Sequence, residues 1–389
     1  MVIEGITPTT REAVAVHIRS GRIAEIRPLR DGTGRLPLLC PGFLDMQVNG
    51  VLHSDYSLEQ LRAEQIRQIV ERLDCSGTTQ HVATIITSPK ERIIGNLKTL
   101  VRVMNNDRDL AHAIAGIHIE GPFIAPEDGP RGAHDRAYIR PPDIEEARQW
   151  QDAAEGHIRL ITLSPEWEKA PQFIRGVTEL GIVAAIGHSA ATERQIRAAV
   201  DAGASLSTHL GNGSHPRIPR LHNYIWEQLA EDRLTAGIIS DGFHLPEAVL
   251  KVFARVKGME RLILVSDAAY LAGCEPGIYR HDAVEVQVHE DGHLGLPGTE
   301  ILAGAGHLLD WDIPHFARVT GSRLGEILPL VTTNPAHLLG LEKDFGTLQP
   351  GAPANLVLCR HEEGLKRLQI LKTIRAGSIV YTGEAGAEN

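Results

Sequence analysis

The run Ala113-Ile114-Ala115-Gly116-Ile117-His118-Ile119-Glu120-Gly121-Pro122-Phe123 decides how the chain is read. Its apolar part, Ala113 to Ile119, predicts a buried strand. That strand delivers a carboxylate, Glu120, immediately before a Gly-Pro break that must turn the backbone. A single acid at a strand end has an ordinary explanation as a solvated loop carboxylate. Whether Glu120 means more depends on what the other strand ends carry.

Outward from that stretch, short apolar runs end near Gln47, Thr87, Glu120, Ser164, His188, His209, His244 and Asp267, with helix-like segments between them. One such segment runs from Ser57 to Leu73, with Leu58, Leu61, Ile66, Ile69, Val70 and Leu73 on one face, a Ser57/Gln60 capping box at its start and Gly77 beyond its end. Another begins at Thr192, with Gln195 completing a box, and stops at Gly203. Eight strands alternating with helices predict an α/β fold, a (β/α)8 TIM-type barrel over residues 39–344. An open doubly wound sheet is the alternative, but no Gly-x-Gly-x-x-Gly follows the first strand. Active sites of such barrels lie at the C-terminal ends of the strands, where these polar residues fall.

The two ends have a different texture. Residues 1–38 alternate apolar and polar positions around Ser20-Gly21, and residues 345–383 of the closing segment 345–389 do so around Ala376-Gly377. Neither end alone makes a stable core, so both are expected to form one small β-sandwich domain.

A formal net charge of -10 and a pI near 6.0 argue against a nucleic-acid partner, which draws on clustered Lys and Arg. No window reaches the roughly 20 apolar residues of a membrane span. The first residues, with Glu4, do not read as a signal peptide, and the four cysteines show no Cys-x-x-Cys spacing. A cytoplasmic protein without membrane or sulfur-metal chemistry is expected.

Taken singly, His188 in Gly187-His188-Ser189 and His209 in Thr208-His209-Leu210 read equally well as satisfied core histidines. Together the third, fifth and sixth strand ends would bring Glu120, His188 and His209 around one mouth. Two imidazoles and a carboxylate with an open position suit one divalent metal ion. Zn2+ fits this set, and Fe2+, Co2+ or Mn2+ would bind the same ligands. Asp267 closes the last run, Leu262-Ile263-Leu264-Val265-Ser266-Asp267, and reads either as a helix N-cap or as the general base of metal-assisted hydrolysis.

Pro41-Gly42-Phe43-Leu44-Asp45, His118-x-Glu120-Gly121-Pro122-Phe123, Gly187-His188-Ser189, Thr208-His209-Leu210, Asp241-Gly242-x-His244 and Ser266-Asp267-Ala268 occur in the order of the amidohydrolase superfamily. Over roughly residues 38–356 the chain resembles the N-acetylglucosamine-6-phosphate deacetylase family within it. Gly346-Thr347-Leu348-x-x-Gly351-x-x-Ala354-Asn355-Leu356 matches that family's terminal β-domain. The resemblance implies deacetylation of an N-acetylated amino sugar, N-acetylglucosamine-6-phosphate first, by a homodimer. Gln47 and Asn49 stand where many superfamily members carry His-x-His, and amides bind metals poorly, so a single ion is expected. By resemblance His134 helps polarise the acetamide carbonyl, and His244, Asn212 and Gly213 contact the substrate. Arg220 falls at an arginine that reaches phosphate across the dimer interface.

Two departures bear on the substrate. Gly211, Asn212, Gly213, Ser214 and His215 replace an aromatic, Asn, Ala and Met, and Ala303-Gly304-Ala305 replaces Ala-Gly-Ser. Rival readings are therefore another amide substrate, such as N-acetylgalactosamine-6-phosphate, an unphosphorylated sugar or an N-acyl amino acid, and a catalytically inactive scaffold barrel.

Overall fold

The computed structural model describes residues 1–29, 36–281, 284–362 and 364–383. Eight strands, Phe43–Val48, Thr78–Ile86, Ile114–Glu120, Ile158–Leu163, Val183–Ile186, Leu206–Ser207, Thr235–Ile238 and Leu262–Leu264, pair in parallel in chain order. The first and last meet at a seam where Asp267 N donates to Gln47 O, and Asn49 N and Gly50 N to Ala268 O, each at 3.0 Å. The barrel is the one the sequence predicts.

These strands are buried on both faces, which is why they read as apolar runs rather than alternating ones; all six positions of Phe43–Val48 are buried. Leu44, Met46, Val82, Leu160, Ala185, Leu206 and Ile263 make one layer of packing. A larger cluster joins strand residues such as Ile85, Ile117 and Ile161 to helical ones such as Ile69, Leu97, Trp150 and Ile174.

Two local readings change. The first barrel helix is Ala63–Asp74, not Ser57 to Leu73. Ser57 Oγ accepts from Ile86 N at 2.9 Å and is spent tying the first loop to the second strand, so it caps nothing. Gln65 instead closes the helix start, accepting from Arg62 N at 3.0 Å. The seventh strand stops at Ile238, six residues short of His244, because Asp241 Oδ1 accepts from Phe243 N (2.8 Å) and His244 N (2.9 Å) and curls the chain. The Thr192/Gln195 box is present as read, opening the helix Glu193–Asp201.

Both termini enter one seven-stranded mixed sheet, ordered Ser378–Thr382, Gln369–Arg375, Leu356–Arg360, Leu38–Pro41, Val2–Ile6, Ala13–Arg19, Arg22–Pro28. Ala376 and Gly377, at φ 46° and 80°, make its last hairpin turn. Residues 30–35, 363 and 384–389 of the terminal segments lie outside the described residues. Arg375 fastens this sheet to the barrel by bonding Asp74 at the end of the first helix and Asp109 at 2.8 Å. A three-stranded sheet follows the last barrel strand, and its alternating strands were not read from the sequence. Among the described residues no helix is long and apolar enough to cross a membrane.

Candidate active site

Glu120, His188 and His209 converge at the C-terminal mouth, each at or just past the end of its strand. Glu120 Oε1 lies 3.2 Å from His188 Nε2 and 2.9 Å from His209 Nε2, and the two nitrogens are 3.0 Å apart. His134, from the loop after the third strand, brings its Nε2 to 3.2 Å from that of His188. All four side chains are buried.

His188, His209 and Asp267 adopt φ of 51°, 27° and 49°, a left-handed backbone that non-glycine residues take at a cost. The parallel ladder ends beneath them, and these conformations turn their side chains over the mouth. Two glycines leave room for the turn. A Cβ on Gly132 would stand 3.2 Å from His188 Cε1, and one on Gly213 only 2.6 Å from His188 Nδ1.

The surroundings fix how the rings present themselves. His188 Nδ1 donates to the carbonyl of Pro130 at 2.8 Å, which leaves Nε2 with its lone pair toward the cluster. Gln47 Nε2 donates to Glu120 Oε1 at 3.0 Å, and Asn49 Nδ2 to Asp267 Oδ1 at 2.7 Å. Both first-strand amides therefore serve carboxylates as donors.

Burial pushes the Glu120 carboxyl up, but hydrogen bonds from His188 and His209 outweigh it and hold the acid well below the usual range. The same contacts raise His209 to about 9 against the effect of its burial. Both shifts favour a carboxylate at Glu120 beside a protonated His209, and a divalent cation would take that proton's place. Oxygen and nitrogen donors within about 3 Å of one another, one ring locked by a backbone carbonyl, fit such an ion. Burial, followed by the charge of Glu120, lifts Asp267 to about 6, suiting a base at neutral pH.

The remaining residues are placed less tightly. His244 Nδ1 is bonded to Asp241 Oδ2 at 2.7 Å, and Asn212 Nδ2 to His209 O at 3.2 Å within its own loop. Gly213 lies against His188. Arg220 is exposed and makes no ion pair among the described residues. Sequence reasoning missed Pro130, whose carbonyl no side-chain pattern could announce. It also missed Glu166, which bonds Ser164, Ser189 and Ala190 N and so joins the fourth and fifth loops. Thr87, marked only as a strand end, bonds His134 Nδ1 at 2.8 Å.

Residues 38–380 match the amidohydrolase family. The N-acetylglucosamine-6-phosphate deacetylase of Homo sapiens is 33% identical over 383 residues, covering 94% of this chain and 88% of its own. The N-acetylgalactosamine-6-phosphate deacetylase of Escherichia coli O157:H7 is 29% identical, covering 88% and 89%. Among solved structures, a D267A mutant of the Mycobacterium smegmatis N-acetyl-D-glucosamine-6-phosphate deacetylase, in complex with N-acetyl-D-glucosamine-6-phosphate, superposes with a TM-score of 0.85 at 29% identity, over 97% of this chain and 98% of that one.

Proposed function

Because the chain belongs to the amidohydrolase family, we propose that it is a deacetylase that removes acetate from an N-acetylated amino sugar, N-acetylglucosamine-6-phosphate first among the candidates. The observation that carries the reading is the convergence of Glu120, His188 and His209 beside an Asp267 held by Asn49.

In this reading Glu120, His188 and His209 hold one divalent ion, Zn2+ by the chemistry of the set. When bound, that ion supplies Lewis acidity toward an acyl oxygen and makes a neighbouring water acidic. Asp267 takes the proton of the attacking water with Oδ2, the oxygen Asn49 leaves free, as the water oxygen bonds to the acetyl carbon. The C–N bond then breaks, Asp267 returns the proton to the departing nitrogen, and acetate and a free amine result. His134 faces the acyl oxygen and steadies its developing charge. Gln47 orients Glu120 by donating to Oε1 and offers no imidazole for a second ion.

Asn212, Gly213 and His244 are the proposed sugar contacts. Arg220, exposed and without an ion pair among the described residues, would supply a phosphate contact to the neighbouring subunit of a dimer. N-acetylgalactosamine-6-phosphate is the second reading, favoured by the Escherichia coli relative.

Initial rates on the two N-acetylhexosamine 6-phosphates and their unphosphorylated forms test the substrate. Asp267→Asn in metal-loaded protein tests the base: deacetylation should fall by at least about a hundredfold. Retention of near wild-type rate would remove Asp267 from the chemistry.

A further inference from the structure

Below the mouth, the barrel interior carries a line of polar side chains that the proposed chemistry does not use. His118, two residues before Glu120 on the third strand, is fully buried. Its Nε2 is 2.7 Å from Thr162 Oγ1 on the fourth strand, and that hydroxyl is 2.7 Å from Thr208 Oγ1, just past the sixth. On the other side of the ring, Nδ1 lies 3.4 Å from Thr84 Oγ1 on the second strand, which accepts from Val48 N of the first at 3.2 Å. A neutral imidazole is one donor and one acceptor, and a hydroxyl is both, so the whole belt can be paired in a single direction.

The belt passes a strand to do this. The fourth and sixth strands are not neighbours, and two strand spacings, about 10 Å, separate them. Thr162 and Thr208 meet because Gly187, just past the end of the fifth strand, puts no side chain between them. A Cβ there would stand 2.6 Å from Thr162 Cγ2 and 2.9 Å from Thr208 Cβ. Gly187 is not in the left-handed region, so glycine is needed here for space and not for backbone freedom.

What the belt holds is the end of a very short strand. The sixth strand is only Leu206–Ser207, so its ladder stops before Thr208 and His209, and His209 sits at φ 27°. Thr208 is fixed by its N, which donates to Ile186 O at 2.8 Å, and by its hydroxyl in the belt. His118 shares a strand face with Glu120, two residues on. The belt therefore joins the backbone segments that carry Glu120 and His209, whose donor atoms are 2.9 Å apart.

We propose that His118, Thr162 and Thr208 are positioning residues, a buried belt that sets the separation of Glu120 and His209 for the ion, with Gly187 as the gap that lets it close. This rests on Glu120 and His209 being ligands, as in the proposed function.

Thr162→Val keeps the shape of the side chain and cuts the belt in the middle. Titrated against a competing chelator, this variant should bind Zn2+ at least about tenfold more weakly than wild type. Thr162→Ser, which returns the hydroxyl, should recover most of that affinity. Thr208→Val should weaken binding as Thr162→Val does, and the double variant should lose little more, because one cut already opens the belt. A belt that only stabilised the fold would lower the unfolding midpoint of the metal-free protein and leave the dissociation constant alone. An unchanged dissociation constant in Thr162→Val, an equal loss in Thr162→Ser, or losses that add in the double variant would each overturn the proposal while leaving the ligand set intact. Wild-type protein that binds no Zn2+ would overturn both.

Discussion

Asn49 donates from Nδ2 to Oδ1 of Asp267 across 2.7 Å, joining the loop after the first barrel strand to the end of the last. The contact lies on the seam where the barrel closes, so the proposed base is aimed by the same strand pairing that completes the fold. A hydrogen bond to a charged group contributes about 1.5–3 kcal/mol. Asn49→Leu should therefore lower kcat by roughly ten- to a hundredfold, with KM and metal content little changed. Steady-state kinetics with metal analysis decide it, and a loss of metal instead of kcat would reassign Asn49 to the ion site.

Gly213 is the point where the altered sixth loop meets the cluster. Its φ is 54°, and an added Cβ would come within 2.6 Å of His188 Nδ1, the atom that donates to Pro130. Gly213→Ala should push the ring off that carbonyl and weaken metal binding by about 10- to 100-fold, the usual cost of losing such support. Titration with a competing chelator reads this directly. An intact affinity with a raised KM would show instead that Gly213 acts only on the sugar.

The barrel and its strand ends were legible because parallel strands buried on both faces leave apolar runs, and Glu120, His188, His209 and Asp267 terminate four of them. Helix starts were legible only where the capping side chain was free to cap, as at Thr192, and not at Ser57, whose hydroxyl serves a distant strand. What holds the site was mostly illegible. Pro130 acts through a carbonyl, Glu166 through a loop contact 23 residues from Ser189, and Gln47 through a partner 73 residues away. None of these leaves a periodic or local signal.

Arg375 is another such residue, invisible in sequence and almost fully buried at 1% exposure. It bonds Asp74, and its Nε and Nη2 reach Asp109 at 3.2 and 2.8 Å. Burial already lifts Asp74 to about 6, with the Arg375 charge opposing. Arg375→Met would strand that acid and should cost about 3–5 kcal/mol. Adding Asp74→Asn should recover part of the loss, measured as non-additivity in denaturant unfolding. Additive losses would mean that the pair is not coupled.

His81, on the second barrel strand, contributes to the loss of stability in acid. It is buried, and its Nε2 is 2.6 Å from the Tyr56 hydroxyl. Burial, with the nearby positive charge of Arg375, pushes its pKa down from 6.5 to about 3. The unfolded chain takes up this proton near pH 6.5, while the folded chain refuses it until about 3, so the unfolded state binds more protons throughout that window. The stabilisation is complete above pH 6.5 and drains away as the pH falls toward 3. Between pH 6.5 and about 4 it amounts to roughly 3 kcal/mol. His118 and His307, both lowered to about 4 chiefly by burial, act in the same direction. His81→Gln keeps an acceptor for Tyr56 but cannot titrate. Whatever its stability at pH 7, the slope of unfolding free energy against pH between about 4 and 6 should be shallower by close to one proton. Denaturant unfolding at several pH values measures that slope, and an unchanged value would mean that His81 is already charged inside the fold.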